Sequence, residues 1–170
     1  LLDNPQTLSM LATAVGPGGR WPASRQATFE LACRQLALEP NRGHRAVTRN
    51  LAPTMDQLID AAAALCAVIL LANREGVALD QDAVTGPWPL VDELGLDPTL
   101  PWRRALATRL FDADDDQEER RRPLHRSVAE FLAARHLAGK VAAGLPLARV
   151  LALLTAADGG IVADLRGVHA

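Results

Sequence analysis

Apolar residues recur along this chain mostly at helical spacing. Phe29, Ala32, Cys33 and Leu36 fall at i, i+3, i+4 and i+7, one face of a helix that Pro22 opens and Pro40 ends. Upstream, Asn4 suits an N-cap and Pro5 the first helical position of a shorter helix with Leu8, Leu11 and Ala12 inside. Gly16-Pro17-Gly18-Gly19 breaks the chain after it. Residues 41–53 read as a loop carrying Arg42, His44, Arg45 and Arg49.

Thr54-Met55-Asp56-Gln57 has the form of a capping box, and Asp56 and Asp60 suit the positive end of a helix dipole. That helix is expected to reach Arg74, with Gly76 as its stop. It is apolar nearly all round from Ala61 to Ala72, which marks it as the central buried helix. Gly86, Pro87, Pro89, Gly95, Pro98 and Pro101 leave room only for short helical turns over 76–101. A helix or helix-to-strand element starts at Trp102 and carries Leu106, Leu110 and Phe111. The charge block from Asp112 to Arg122 reads as a hairpin tip, with short strands near 108–111 and 122–125. Ser127 and Glu130 suggest a second capping box for a helix running to Ala143, with Gly144 as its stop. Pro146 opens another helix with Leu147, Val150, Leu151 and Leu154 as its stripe. Asp158-Gly159-Gly160 breaks again, and Ile161, Leu165 and Val168 begin one more helix.

The pattern therefore predicts a mainly α chain in three parts. Residues 1–52 form a small helical domain, 53–143 a winged-helix-like domain with one short β-hairpin, and 144–170 the start of a further helical domain. The chain begins at Leu1 and ends inside an apolar-periodic stretch, so it is expected to be cut from something longer.

Composition narrows the function classes. A hydrophobic content of 49% suffices for a core. A net charge of −2 gives no bulk field for nucleic acid or an anionic membrane. The longest apolar run, Ala61 to Ala72, is well short of the roughly 20 residues of a membrane helix. Cys33 and Cys66 both lie in helical patterns, as buried thiols of a reducing cytoplasm would. Arginine far outnumbers lysine, and Ala and Leu abound, a pattern that suggests GC-rich bacterial coding bias more than a function.

Candidate chemistry is sparse. A P-loop needs glycines for close backbone approach to phosphate and a lysine for charge. Lys140, the single lysine, lies late in a helix with no Ser or Thr after it, and the Gly16–Gly19 cluster has none. The chain is thus expected not to be an enzyme on its own. Asp112, Asp114 and Asp116 mimic the first half of a calcium loop but lack its glycine, so they read as a solvated hairpin tip and no metal site is assigned. His44, His125, His136 and His169 share no metal-ligand spacing. Arg120, Arg121 and Arg122 follow six acidic residues, which favours solvated ion pairs over contact with DNA phosphates.

Residues 124–134, Leu-His-Arg-Ser-Val-Ala-Glu-Phe-Leu-Ala-Ala, resemble the signature that closes the winged-helix domain of NACHT-type signal-transducing NTPases. His125, Glu130, Phe131, Ala133 and Ala134 match it, while Val128 replaces an aromatic residue. Asn4-Pro5-Gln6-Thr7-Leu8 looks like the proline-centred opening of the helical domain after the ATPase core of that family. The resemblance implies a nucleotide-sensing regulatory segment without its own P-loop, whose nucleotide contacts are His125, toward the β-phosphate of ADP, and Pro5, near the base. It further implies ADP or ATP with Mg in the parent protein, and that protein's ATPase core as partner. Self-oligomerisation on activation, a cytoplasmic setting, and no membrane or nucleic-acid partner complete the expectation. Two other readings fit the same pattern: a winged-helix DNA-binding module and a helical protein-interaction scaffold.

Overall fold

The computed structural model describes residues 22–38, 53–155, 160 and 162. Pro5, the first expected helix and the 41–52 loop lie outside the described residues.

Helix α1 spans Arg25–Leu38. Its cap is Ser24, not Pro22: the Ser24 hydroxyl accepts the Ala27 N–H at 3.1 Å. Helix α2 spans Met55–Leu71 and opens on the expected box, with Thr54 Oγ1 accepting the Gln57 N–H and Gln57 Oε1 accepting the Thr54 N–H. Its end differs from the expectation. Asn73, at φ 50°, takes the left-handed position. The N–H groups of Asn73 and Arg74 donate to the carbonyls of Leu70 and Ile69, the paired bonds of a Schellman stop. Gly76 instead lies buried at the entrance to a strand.

That strand, β1 (Val77–Ala78), was not legible in the sequence. It joins β2 (Phe111–Ala113) and β3 (Arg120–Pro123) in an antiparallel sheet of order β1-β3-β2. Val77 faces Arg121, and Phe111 faces Pro123. The expected hairpin is therefore present, tightened toward its tip and widened by a third strand. The Gly- and Pro-rich stretch folds over the free edge of β1, where Ala78 N–H donates to Pro89 O at 2.8 Å. A short 3₁₀ turn at Val91–Glu93 and helix α3 (Trp102–Leu106) connect β1 to β2.

Helix α4 (Arg126–Ala142) follows β3 directly, and Gly144, at φ 105°, ends it as expected. Helix α5 (Leu147–Leu154) comes last. Only Val150 and Leu154 of its expected stripe are buried, whereas Leu147 is 56% exposed and Leu151 39%.

The architecture is mainly helical, with a winged-helix-like order: α2, β1, short helical turns, the β2–β3 hairpin, then α4. The core forms where α4 lies along α2. On α2, residues Ile59, Ala61–Ala67 and Ile69 are all buried, which fits an apolar surface on every side. Its run of alanines lets Val128, Leu132 and Ala133 of α4 approach closely. Among the described residues no helix is long and apolar enough to cross a membrane.

Candidate functional site: the start of helix α4

The hairpin and the helix after it fix His125 in place. Leu124 N–H donates to Leu110 O at 2.9 Å, which extends the β2–β3 ladder to the residue before it. His125 then adopts an extended conformation (φ −141°, ψ 137°) as the N-cap of α4. Its carbonyl accepts the Val128 and Ala129 N–H groups at 3.1 and 3.0 Å. Its half-buried imidazole makes no capping bond to the helix.

The expected Ser127–Glu130 capping box does not form. The register of the hairpin starts the helix at Arg126, which leaves Ser127 inside the first turn rather than ahead of it. Its Oγ is closed off from solvent and has no hydrogen-bond partner. Glu130 turns instead to Arg126, whose Nε lies 2.9 Å from its carboxylate. Leu132 is fully buried, as expected of a core position, whereas Phe131, expected in the core as well, is only half-buried and packs against its edge.

Ser127, Glu130 and Phe131 face α1 across a cleft of about 250 Å³, whose other wall is Arg25, Gln26 and Phe29. The rings of Phe29 and Phe131 stack at 5.3 Å, 21° from parallel, and the Arg25 guanidinium sits 5.7 Å from the centre of Phe29. Sequence reasoning missed this cleft. Its signal was two helical stripes, Arg25/Phe29 and Ser127/Glu130/Phe131/Ala134, which only the packing of α1 on α4 brings together.

Farther along the same seam, charges link three helices. Arg34 of α1 pairs with Asp56 of α2 at 2.6 Å and with Glu30 at 3.5 Å. Arg135 of α4 pairs with Asp60 of α2 at 2.6 Å and with Glu30 at 3.7 Å. The hydrogen bond to Asp56 raises the Arg34 pKa. Burial lowers the His136 pKa, with help from Lys140 and against a smaller opposing pull from Asp60. Cys33 and Cys66 are both buried; burial pushes the Cys33 thiol up to about 12 and Cys66 the same way, which leaves neither as a thiolate near neutral pH.

The arginines of the hairpin are not all solvated, as the sequence suggested. Arg120 and Arg122 do pair with Asp114, at 3.7 Å each, and Arg122 also with Asp115 at 3.0 Å. Arg121 is only 4% exposed, because strand alternation turns it inward. Its guanidinium donates to the carbonyls of Glu118 and Arg120.

A DNA-reading helix would be α3, which precedes the hairpin. It has five residues, and its Arg103 is held by Asp92 at 2.8 Å. Among the described residues, no group of three or more His, Cys, Asp or Glu side chains is placed to hold a metal. Lys140 is exposed in the last turn of α4, at the opposite end from His125.

No family model, no curated protein and no solved structure matches the chain.

Proposed function

We propose that this chain is the regulatory, nucleotide-state-sensing segment of a NACHT-like NTPase switch. The observation that carries the reading is the position of His125. It stands at a strand-to-helix junction of a winged-helix-like unit, at the positive end of a 17-residue helix, with its imidazole unused in capping. Such a group suits an anion: the first-turn amides and the helix dipole favour a phosphate, and the imidazole adds a directed hydrogen bond. Glu130, one turn on, would repel an anion, but its charge is engaged by Arg126.

In this reading the parent's ATPase core supplies the P-loop and Mg, and the nucleotide bridges core and segment. His125 holds the ADP-bound, closed state, and exchange for ATP frees the winged-helix unit to rotate as a body. The core is the partner, and self-association follows opening. The cellular setting is the cytoplasm. Pro5 is proposed to pack near the base on the strength of the resemblance alone.

The test is His125→Ala in the parent protein. A charge-assisted bond to phosphate contributes about 1.5–3 kcal/mol. Its loss speeds ADP release roughly ten- to a hundredfold and raises basal activity. The melting temperature without nucleotide stays unchanged. A lowered melting temperature with an unchanged ADP off-rate refutes the switch role of this residue.

A further inference from the structure

We propose that the cleft between α1 and α4 is a binding site for a small aromatic carboxylate. The inference goes beyond the switch reading and stands whether or not that reading holds.

The size comes first. At about 250 Å³ the cleft lies just below the roughly 300–1,000 Å³ of drug-sized pockets, so it suits a single ring with one substituent. Its apolar wall is aromatic. Phe29 is buried and Phe131 half-buried, and the two rings stack, so the aromatic surface left open to the cleft belongs to Phe131. A ligand ring can pack on Phe131 at low conformational cost.

The polar groups decide the charge. Ser127 lines the cleft, and its Oγ, shielded from solvent, has no hydrogen-bond partner. A buried hydroxyl without a partner is costly and accounts for itself when something else completes it. Turned toward the cleft by rotation about χ1, its O–H would offer a donor to an incoming oxygen. The Arg25 guanidinium lies at the mouth over Phe29, and Gln26 adds an amide donor. Arg25 and Gln26 are the first two residues of α1, and Ser127 is the second of α4, so two helix N-termini meet at the cleft. The one carboxylate in the lining, Glu130, is already neutralised by Arg126 at 2.9 Å. The net field is therefore positive, and the unpartnered Ser127 hydroxyl is able to donate. A carboxylate with an aromatic body matches both features.

An isosteric series separates charge from shape: benzoate, benzamide and benzamidine, titrated into the 170-residue chain and followed by amide and aromatic NMR shifts. Benzoate binds with a Kd of about 1 mM or tighter, at least about tenfold below benzamidine, and shifts Phe29, Ser127 and Phe131. Arg25→Gln weakens benzoate at least threefold and leaves benzamide unchanged. Ser127→Ala weakens both without lowering the melting temperature, since the hydroxyl it removes bonds to nothing in the unliganded fold. Ala134→Trp fills the cleft and abolishes binding. Benzamidine binding as tightly as benzoate overturns the proposal, as do saturating shifts confined to other residues, or no saturable shift by about 10 mM. If Ala134→Trp does not fold, the wild-type shifts and the Arg25→Gln ratio decide alone.

Discussion

Three glycine-to-alanine substitutions add the same methyl group at three sites and should have three different effects. At Gly76, a new Cβ would lie closer than 3.0 Å to both the Arg121 carbonyl oxygen and the Trp88 ring. Trp88 could turn aside, but the Arg121 carbonyl belongs to β3, the central strand, whose partner opposite is Val77. Relief therefore means moving β1 away from β3. Overpacking of this kind costs about 1–3 kcal/mol, and a backbone obstacle puts Gly76→Ala toward the upper end. At about 2–4 °C per kcal/mol for a chain of this size, the melting temperature falls by roughly 4–12 °C. Gly86→Ala is the control, because nothing lies within 4 Å of its Cβ position. Restricting the unfolded chain there is neutral or stabilising by up to about 1 kcal/mol. Gly144→Ala also meets open space, but its φ of 105° strains an L-residue by about 1–2 kcal/mol. Thermal and urea melts followed by circular dichroism rank the three. Should Gly76→Ala melt within a degree or so of Gly86→Ala, the close approach of β1 to β3 would be wrong.

Two further outcomes follow from the charged seam. Arg135→Ala breaks the pairs to Asp60 and Glu30, both partly exposed, so it destabilises by only about 0.5–1 kcal/mol; that difference should shrink between low salt and about 1 M, which paired urea melts would show. His136 has a lowered pKa in the folded chain, mainly through burial, so the unfolded chain takes up its proton first as pH falls. Stability is then complete above the ordinary histidine value near 6.5 and declines below it. His136→Gln should flatten the stability profile over that window, and an unchanged profile in melts from about pH 7.5 to 5 rules out this source of the decline.

The helices were legible because their stripes are local, although Gly76 did not mark the stop of α2, where Asn73 takes the left-handed position. Thr54–Gln57 and Ser127–Glu130 carry equivalent sequence signals, yet only the first forms a box. Ser127 is preceded by a hairpin whose register, pinned by Leu124 on Leu110, forces the helix to begin at Arg126. That constraint is tertiary and leaves no mark on the four residues themselves. Strand β1 escaped notice because two residues carry no period, and its existence depends on β3, more than 40 positions away. Arg121 was hidden in a run of like residues, since only pairing tells which member of Arg120–Arg122 turns inward. The α5 stripe misled in the other direction: periodicity shows that a face is apolar, not that something covers it. His125 could be singled out from its motif, but its place as N-cap and the cleft two residues on required α1 and α4 to be packed together.

The two halves of the helical layer are held by forces of different kinds. The largest fully buried side chains are Phe111, Ile59, Leu65, Ile69, Leu106, Leu110 and Leu132, all on α2, α3, α4, the sheet or the segment between α3 and β2. Helix α1 adds only Cys33 to the fully buried set, and its other inward residues include the small Ala32 and Ala37. Its hold on α2 and α4 therefore leans on the Phe29–Phe131 stack and on Arg34, Glu30 and their partners. Apolar burial scales with area and is little affected by salt, whereas exposed ion pairs weaken as ionic strength rises. The seam between α1 and α4 therefore depends more on salt than the apolar core shared by α2, α4 and the sheet. The cleft opens on that seam, between Phe29 and Phe131. His125 caps the same 17-residue helix, Arg126–Ala142, that carries Arg135 and its ties to α1 and α2.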